Sequence, residues 1–157
     1  MAEKMDIEYY GLKFFDIIKN NLNTKLAEIN TRKDDGITLK IIDENAYYYL
    51  EFGREVPMYD PICVFQVDLN PTETVAGASS ETVEIMCMLI ISDELAAASL
   101  DVFKMTSRYR RAIEEIIEAN QSPFDGLELI AMPDVPFIHN KRHFMAVGVG
   151  IRFQYAN

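Results

Sequence analysis

From Met145 to Tyr155 the chain alternates strictly. Met145, Val147, Val149, Ile151, Phe153 and Tyr155 are large and apolar, and Ala146, Gly148, Gly150, Arg152 and Gln154 between them are small or polar. A period of two puts one set on each face of a pleated ribbon, so the segment predicts a long β-strand buried on one face. Coming last in the sequence, it is expected at a sheet edge, with no further domain after it. An uncovered edge invites pairing with another chain. The pattern points to an assembling module before it points to an enzyme.

Elsewhere the period is helical. Ile7, Tyr10, Phe14, Ile18, Leu22, Leu26 and Ile29 recur at steps of three and four, predicting an amphipathic helix over residues 6–29 that the TRKDDG stretch at 31–36 closes with a turn. Ile37, Leu39 and Ile41 alternate, whereas Tyr47, Tyr48 and Tyr49 sit together, as in a strand edge or a short packed turn, before Pro57 and Pro61 punctuate the chain. Residues 62–69 predict a strand. Residues 82–92 predict its partner, with Val83, Ile85, Cys87, Leu89 and Ile91 on one face. Met86, Met88 and Ile90 make the second face apolar too, as in a central strand covered on both sides. Between the two lies NPTETVAGASSE, residues 70–81, with no large apolar side chain beyond Val75. It predicts a mobile hairpin arm.

Ser92 is placed to cap a second helix, with Asp93 and Glu94 in the first turn where the helix dipole favours acids. That helix is expected to run to Ala119 on a stripe of Leu95, Val102, Thr106, Tyr109, Ile113 and Ile116. Residues 127–132 predict a strand, then a loop through Pro133 and Pro136, then the terminal strand. The fold class is α+β: a mostly antiparallel sheet packed against two amphipathic helices, with a long hairpin arm.

A chain of 157 residues, 49% apolar, is expected to form one domain over residues 1–157, burying roughly 69% of the surface its unfolded form exposes. No apolar run approaches the ~20 residues that span a bilayer, and MAEKMDIEYY does not read as a secretory signal. Cys63 and Cys87 fall in apolar strand segments and read as reduced core thiols of a protein made in the cytoplasm. The net charge of −10 argues against a nucleic-acid binder, which needs clustered Lys and Arg, but suits a protein that lies near DNA without holding it.

Candidate chemistry is sparse. The GVG of residues 148–150 lacks the third glycine of a dinucleotide turn, since Phe153 stands there, and it more simply lets a helix or neighbouring backbone approach the sheet. His139 and His143 flank Asn140, Lys141 and Arg142 in a proline-marked loop, where two cations oppose a metal and solvated histidines are expected. Asp34 with Asp35, and Asp43 with Glu44, read as solvated turn acids. No catalytic, cofactor-binding or metal-ligating residue is assigned. One charge feature stands apart: Lys104, Arg108, Arg110 and Arg111 crowd into eight positions of the second helix. They would either pair with Glu114, Glu115 and Glu118 one turn on or dock an acidic surface of a copy or partner.

In order, the chain shows an amphipathic helix, a strand pair with a loose loop, and a helix ending in RYRRAIEEIIEAN (108–120). FDGLELI (124–130) and AVGVGIRFQY (146–155) follow. In this order and in these motifs it resembles the tail terminator, or tail-completion, proteins of tailed bacteriophages. The resemblance implies a non-enzymatic virion component at the tail–neck junction, without cofactor. It implies a homo-hexameric ring that caps the tail tube protein and meets the neck or connector protein, while DNA passes through the lumen without specific binding and no membrane is involved. On that basis Thr72, Thr74, Val75 and Ser79 of the arm, and Arg108, Arg110 and Arg111 of the helix, are the expected protein interface, the arginines turned away from an acidic lumen. Two other classes remain compatible with the residues. One is a neck or head-completion protein that binds the portal or adaptor ring. The other is a small-ligand-binding or enzymatic α+β domain with an apolar pocket.

Overall fold

The computed structural model describes residues 6–49, 60–71, 80–92, 99–124 and 126–156. Its elements are α1 (Ile7–Arg32), β1 (Tyr47–Tyr49), β2 (Ile62–Pro71), β3 (Ser80–Ser92), α2 (Ser99–Ala119), β4 (Glu128–Ala131), β5 (Val135–His139) and β6 (Arg142–Ala156). α1 starts where Asp6, in extended conformation, accepts the amide of Tyr9 at 3.0 Å and satisfies one of the helix's orphan donors. It passes the predicted end at 29 and takes in Thr31 and Arg32. The Lys33 amide closes the last turn on the carbonyl of Ile29, and Gly36, at φ +84°, makes the turn that follows.

The strands form one six-stranded sheet in the order β1-β2-β3-β6-β4, with β5 also paired to β6. Only β1–β2 is parallel among the described pairs. The predicted hairpin is present: β2 and β3 pair from Ile62↔Ile90 to Pro71↔Glu81. Asn70, Pro71 and Glu81, expected in the arm, therefore belong to this ladder, and Ser80 pairs with Ala156 of β6. The rest of the arm, with Thr72, Thr74, Val75 and Ser79, lies outside the described residues.

Three expectations are corrected. β6 is not an edge: it lies between β3 on one side and β4 and β5 on the other. Its residues are flanked by two ladders because the strand expected over residues 127–132, present as β4, and the stretch after it, expected as loop but present as β5, both fold back along it. Ser92 does not cap a helix. It is the last residue of β3, opposite Phe144, and its amide and hydroxyl both donate to the Asp60 carboxylate, at 2.9 and 2.5 Å. α2 starts at Ser99, and Asp93, Glu94 and Leu95 lie outside the described residues. Finally, His139 and His143 stand in paired strands, β5 and β6, joined by a tight turn at Asn140 and Lys141.

Alternation along β3 and β6 sends Val83, Ile85, Cys87, Leu89, Val147, Val149, Ile151 and Phe153 to one face. There they bury with Phe14, Ile18, Leu22 and Leu26 of α1 and with Tyr109, Ile113 and Ile116 of α2. Both helices thus cover the same face. The other face carries a smaller cluster of Ile62, Val64, Ile90 and Phe144, and here Met86 and Met88 are half-buried. Methionine side chains fill most of the room left by the two β6 glycines, and at Gly150 a neighbouring backbone also comes close, with the Ile85 carbonyl oxygen 3.2 Å from where a Cβ would stand. A Cβ on Gly148 would sit 3.3 Å from the Met132 sulfur, and one on Gly150 2.5 Å from that of Met86. Cys63 and Cys87 are buried free thiols whose sulfurs lie 3.6 Å apart.

Asn140 and Lys141 have φ of 49° and 63°, as a two-residue type I′ hairpin turn requires at both central positions. Asparagine tolerates this region. Lysine does so at a cost of about 1 kcal/mol. Lys141→Gly is expected to raise stability by roughly 0.5–1 kcal/mol in urea unfolding, and an unchanged or lowered midpoint would refute that reading of the turn.

Candidate functional site

The basic turns of α2 stand against the end of α1 and the segment that follows it. That segment, residues 33–46, has no ladder of its own. It is held by side chains instead. Asn30 accepts the Leu39 amide (2.7 Å) and donates to the Leu39 carbonyl (3.0 Å), and Asn23 does the same for Ile42 (2.8 and 2.8 Å). The buried Tyr109 hydroxyl accepts the Lys40 amide at 2.9 Å and donates to its carbonyl at 3.0 Å. Burial pushes the Tyr109 phenol well above its ordinary pKa, so it stays a neutral donor.

With this segment in place, two of the four cations face inward. Arg108 grips Asp35 with both guanidinium nitrogens and donates to the Ile37 carbonyl at 3.2 Å, while Lys104 lies 3.6 Å from the same carboxylate. Asp35, expected as a solvated turn acid, is exposed as expected and is also ion-paired. Arg110 pairs with Asp134 and donates to the Gly148 carbonyl at 2.9 Å. Gly148 lies in the gap where β6 is paired with neither β4, which ends at Ala131↔Val149, nor β5, which starts at Val135↔Ala146. Arg110 thus satisfies a carbonyl that the interrupted edge leaves open.

Arg111 alone of the three arginines expected at the interface is exposed, at 57% of its side chain. It donates to Glu115 at 3.1 Å, the pairing one turn on that its spacing predicts. Arg32 also reaches Glu115 at 3.1 Å, and Lys25 lies 3.7 Å from it. Partial burial pushes the Glu115 pKa up, but the hydrogen bonds and charges of Arg32 and Arg111 outweigh that and hold it below the ordinary value. Between these elements runs a groove of about 510 Å³ lined by Ile29, Arg32, Lys33, Ser107, Arg108, Arg111 and Glu115. With Arg108 taken by Asp35, three cations, Arg32, Lys33 and Arg111, thus face one carboxylate in a chain of net charge −10. Arg32 and Lys33 were missed as site residues because TRKDDG reads as a turn; their place beside α2 is a tertiary fact.

The Arg108 hydrogen bonds hold the Asp35 carboxyl well below the usual carboxylate range. A depressed folded-state pKa adds stability above the unfolded value near pH ~4 and loses it as pH falls toward the folded one. The stability difference between the parent and Asp35→Asn should therefore be constant above pH ~5 and shrink on acidification. A difference that grows toward low pH would refute the pairing.

Among the described residues, no group of three or more His, Cys, Asp or Glu side chains is placed to hold a metal ion, and no helix is long and apolar enough to cross a membrane. No family model matches the sequence, and no curated protein matches it significantly.

Proposed function

We propose that this protein is a non-enzymatic structural component of a tailed bacteriophage. In this reading it is a tail terminator whose copies, six to a ring, cap the tail tube and present a surface to the neck. The observation that carries it is the order of elements around the long hairpin. α1 precedes β2 and β3, α2 follows with its basic-then-acidic end, FDGLELI leads into β4, and the long β6 comes last and pairs with β3. This is the order on which the resemblance rests. The β2–β3 ladder ends at Pro71↔Glu81, and the chain between, residues 72–79, carries the expected arm contacts with a neighbouring subunit or the tube. The support that the terminal strand would have given as an open edge is withdrawn, since β6 is interior. Among the described residues, the sheet's edges are β1 on one side and β4 and β5 on the other.

The experiment is addition of the purified protein to purified tail tubes, followed by cryo-electron microscopy of the tube ends. A ring of six copies at one end is expected. Replacing residues 72–79 by an Asn-Gly turn should keep the ladder and the fold while impairing capping. Binding to the portal or adaptor ring in place of the tube would favour a neck or head-completion role. A monomer or dimer that ignores both would overturn the virion reading.

A further inference from the structure

We propose that the basic groove between α1 and α2 is one half of a head-to-tail interface between copies of this chain, and that it receives the outer face of the first half of α1 from the next copy. The choice of a second copy as occupant rests on the ring reading above; the surfaces are argued from charge and exposure. The groove cannot pair with itself. A twofold contact would set Arg32, Lys33 and Arg111 against the same cations across the axis, and like charges so placed cost free energy. The interface must join two different surfaces, and such heterologous contacts close into rings or run on as filaments.

The complementary surface has to offer carboxylates free to bond and an apolar side chain for the stems of Ile29 and the arginines. Four of the other exposed large apolar residues fail one requirement, and Leu100 and Phe103 on α2 have a single acid between them, the half-buried Asp101, with Lys104 beside it. Val135 adjoins Asp134, which Arg110 holds, and Leu129 adjoins Glu128, which Arg152 faces at 3.9 Å. Ile41 and Ile138 have no acidic chain neighbour but Ile41's companion Asp43, which accepts the Asn45 amide. The first half of α1 meets both requirements. Leu12 is 51% exposed and Tyr9 39%. Glu8 and Asp16, one turn to either side of Leu12 on the same stripe, are exposed and enter no ion pair among the described residues. Lys33, on the groove side, likewise enters none. Twenty residues of helix separate Leu12 from Arg32, roughly 30 Å, so each copy carries the two surfaces at opposite ends of α1. This is the arrangement that head-to-tail addition requires.

The test is mixing. Lys33→Glu with Arg111→Glu disables the groove and leaves the α1 face; Leu12→Glu with Asp16→Lys does the reverse. All four positions are exposed, and circular dichroism checks that both variants fold. By native mass spectrometry and sedimentation, the parent should self-associate at low ionic strength, with a dissociation constant at least about tenfold higher after salt is raised past ~0.2 M. Each variant alone should be monomeric. Their equimolar mixture should form a dimer and nothing larger, because only one intact interface remains. A monomeric mixture, a parent that stays monomeric at low salt, or variants that associate as the parent does would each overturn the groove assignment. The ring reading is judged separately on tubes: rings formed by the groove variant would sink the groove and leave the ring, whereas a parent that caps no tube would sink the ring itself.

Discussion

Phe153→Ala is expected to lower the stability of this protein by about 3–5 kcal/mol, the range for truncating a fully buried aromatic ring. Phe153 is 1% exposed in β6, opposite Val83, and its ring lies 5.0 Å from those of both Tyr10 and Phe124. Phe124 in turn meets Phe14 at 6.3 Å edge to face. The ring is thus where α1, the chain after α2 and the central strand converge, and no neighbour can collapse into its place without leaving another contact. A domain of this size has about 5–15 kcal/mol in all, so the loss is a large fraction of the whole. In urea the midpoint should fall with the slope unchanged. Phe103→Ala is the control: at 65% exposed it should stay within about 0.5 kcal/mol of the parent. A Phe153→Ala cost below about 1 kcal/mol would show that this convergence does not hold the fold together.

Most of this core was legible in the sequence because it rests on local periods. The α1 stripe, the α2 stripe from Val102 to Ile116 and the alternation of β3 and β6 are each decided by which face a side chain takes, and that follows from spacing alone. What failed was decided at a distance. Pairing of β6 on both edges depends on residues 128–139 folding back twice. In that stretch Pro133 and Pro136 read as loop, yet a proline is tolerated in a strand with a free edge such as β5. Ser92 has the right neighbours for a helix cap, but Asp60, 32 residues away, takes its amide and hydroxyl instead. Local chemistry offered one partner, and the tertiary fold supplied a stronger one.

The candidate site divides the same way. The crowding of Lys104, Arg108, Arg110 and Arg111 is visible in the sequence, and so is the pairing of Arg111 with Glu115 four residues on. The partners of Arg108 and Arg110 are Asp35 and Asp134, separated from them by 73 and 24 residues. No reading of spacing could sort the cations into two that tie the molecule together and one that faces outward. Once sorted, the outward face is shared between helices: Arg111 from α2, with Arg32 and Lys33 from the end of α1.

The segment that closes this site leads to the second large effect. Residues 33–46 depend on Asn23 and Asn30, two turns apart on α1, each acting as a stand-in for a neighbouring strand by bonding both the amide and the carbonyl of one residue. Leu39 and Ile42, the residues so held, are each 1% exposed, so water cannot take over the bonds without drawing these side chains out of the core. At about 1 kcal/mol per bond, Asn23→Ala and Asn30→Ala should each cost roughly 2 kcal/mol. The positions lie about 10 Å apart along the helix and share no partner, so the double variant should approach the sum of the two. Asn→Asp at either site keeps the acceptor but sets an ionised oxygen against the carbonyl that the amide served, and should cost at least as much as Asn→Ala. The distinguishing readout is amide exchange. In the double variant Leu39 and Ile42 should lose protection while Ile85 and Val149, within the β3–β6 ladder, keep theirs. If Leu39 and Ile42 stayed protected, Tyr109 and the buried side chains alone would be holding the segment, and the two asparagines would be incidental to it.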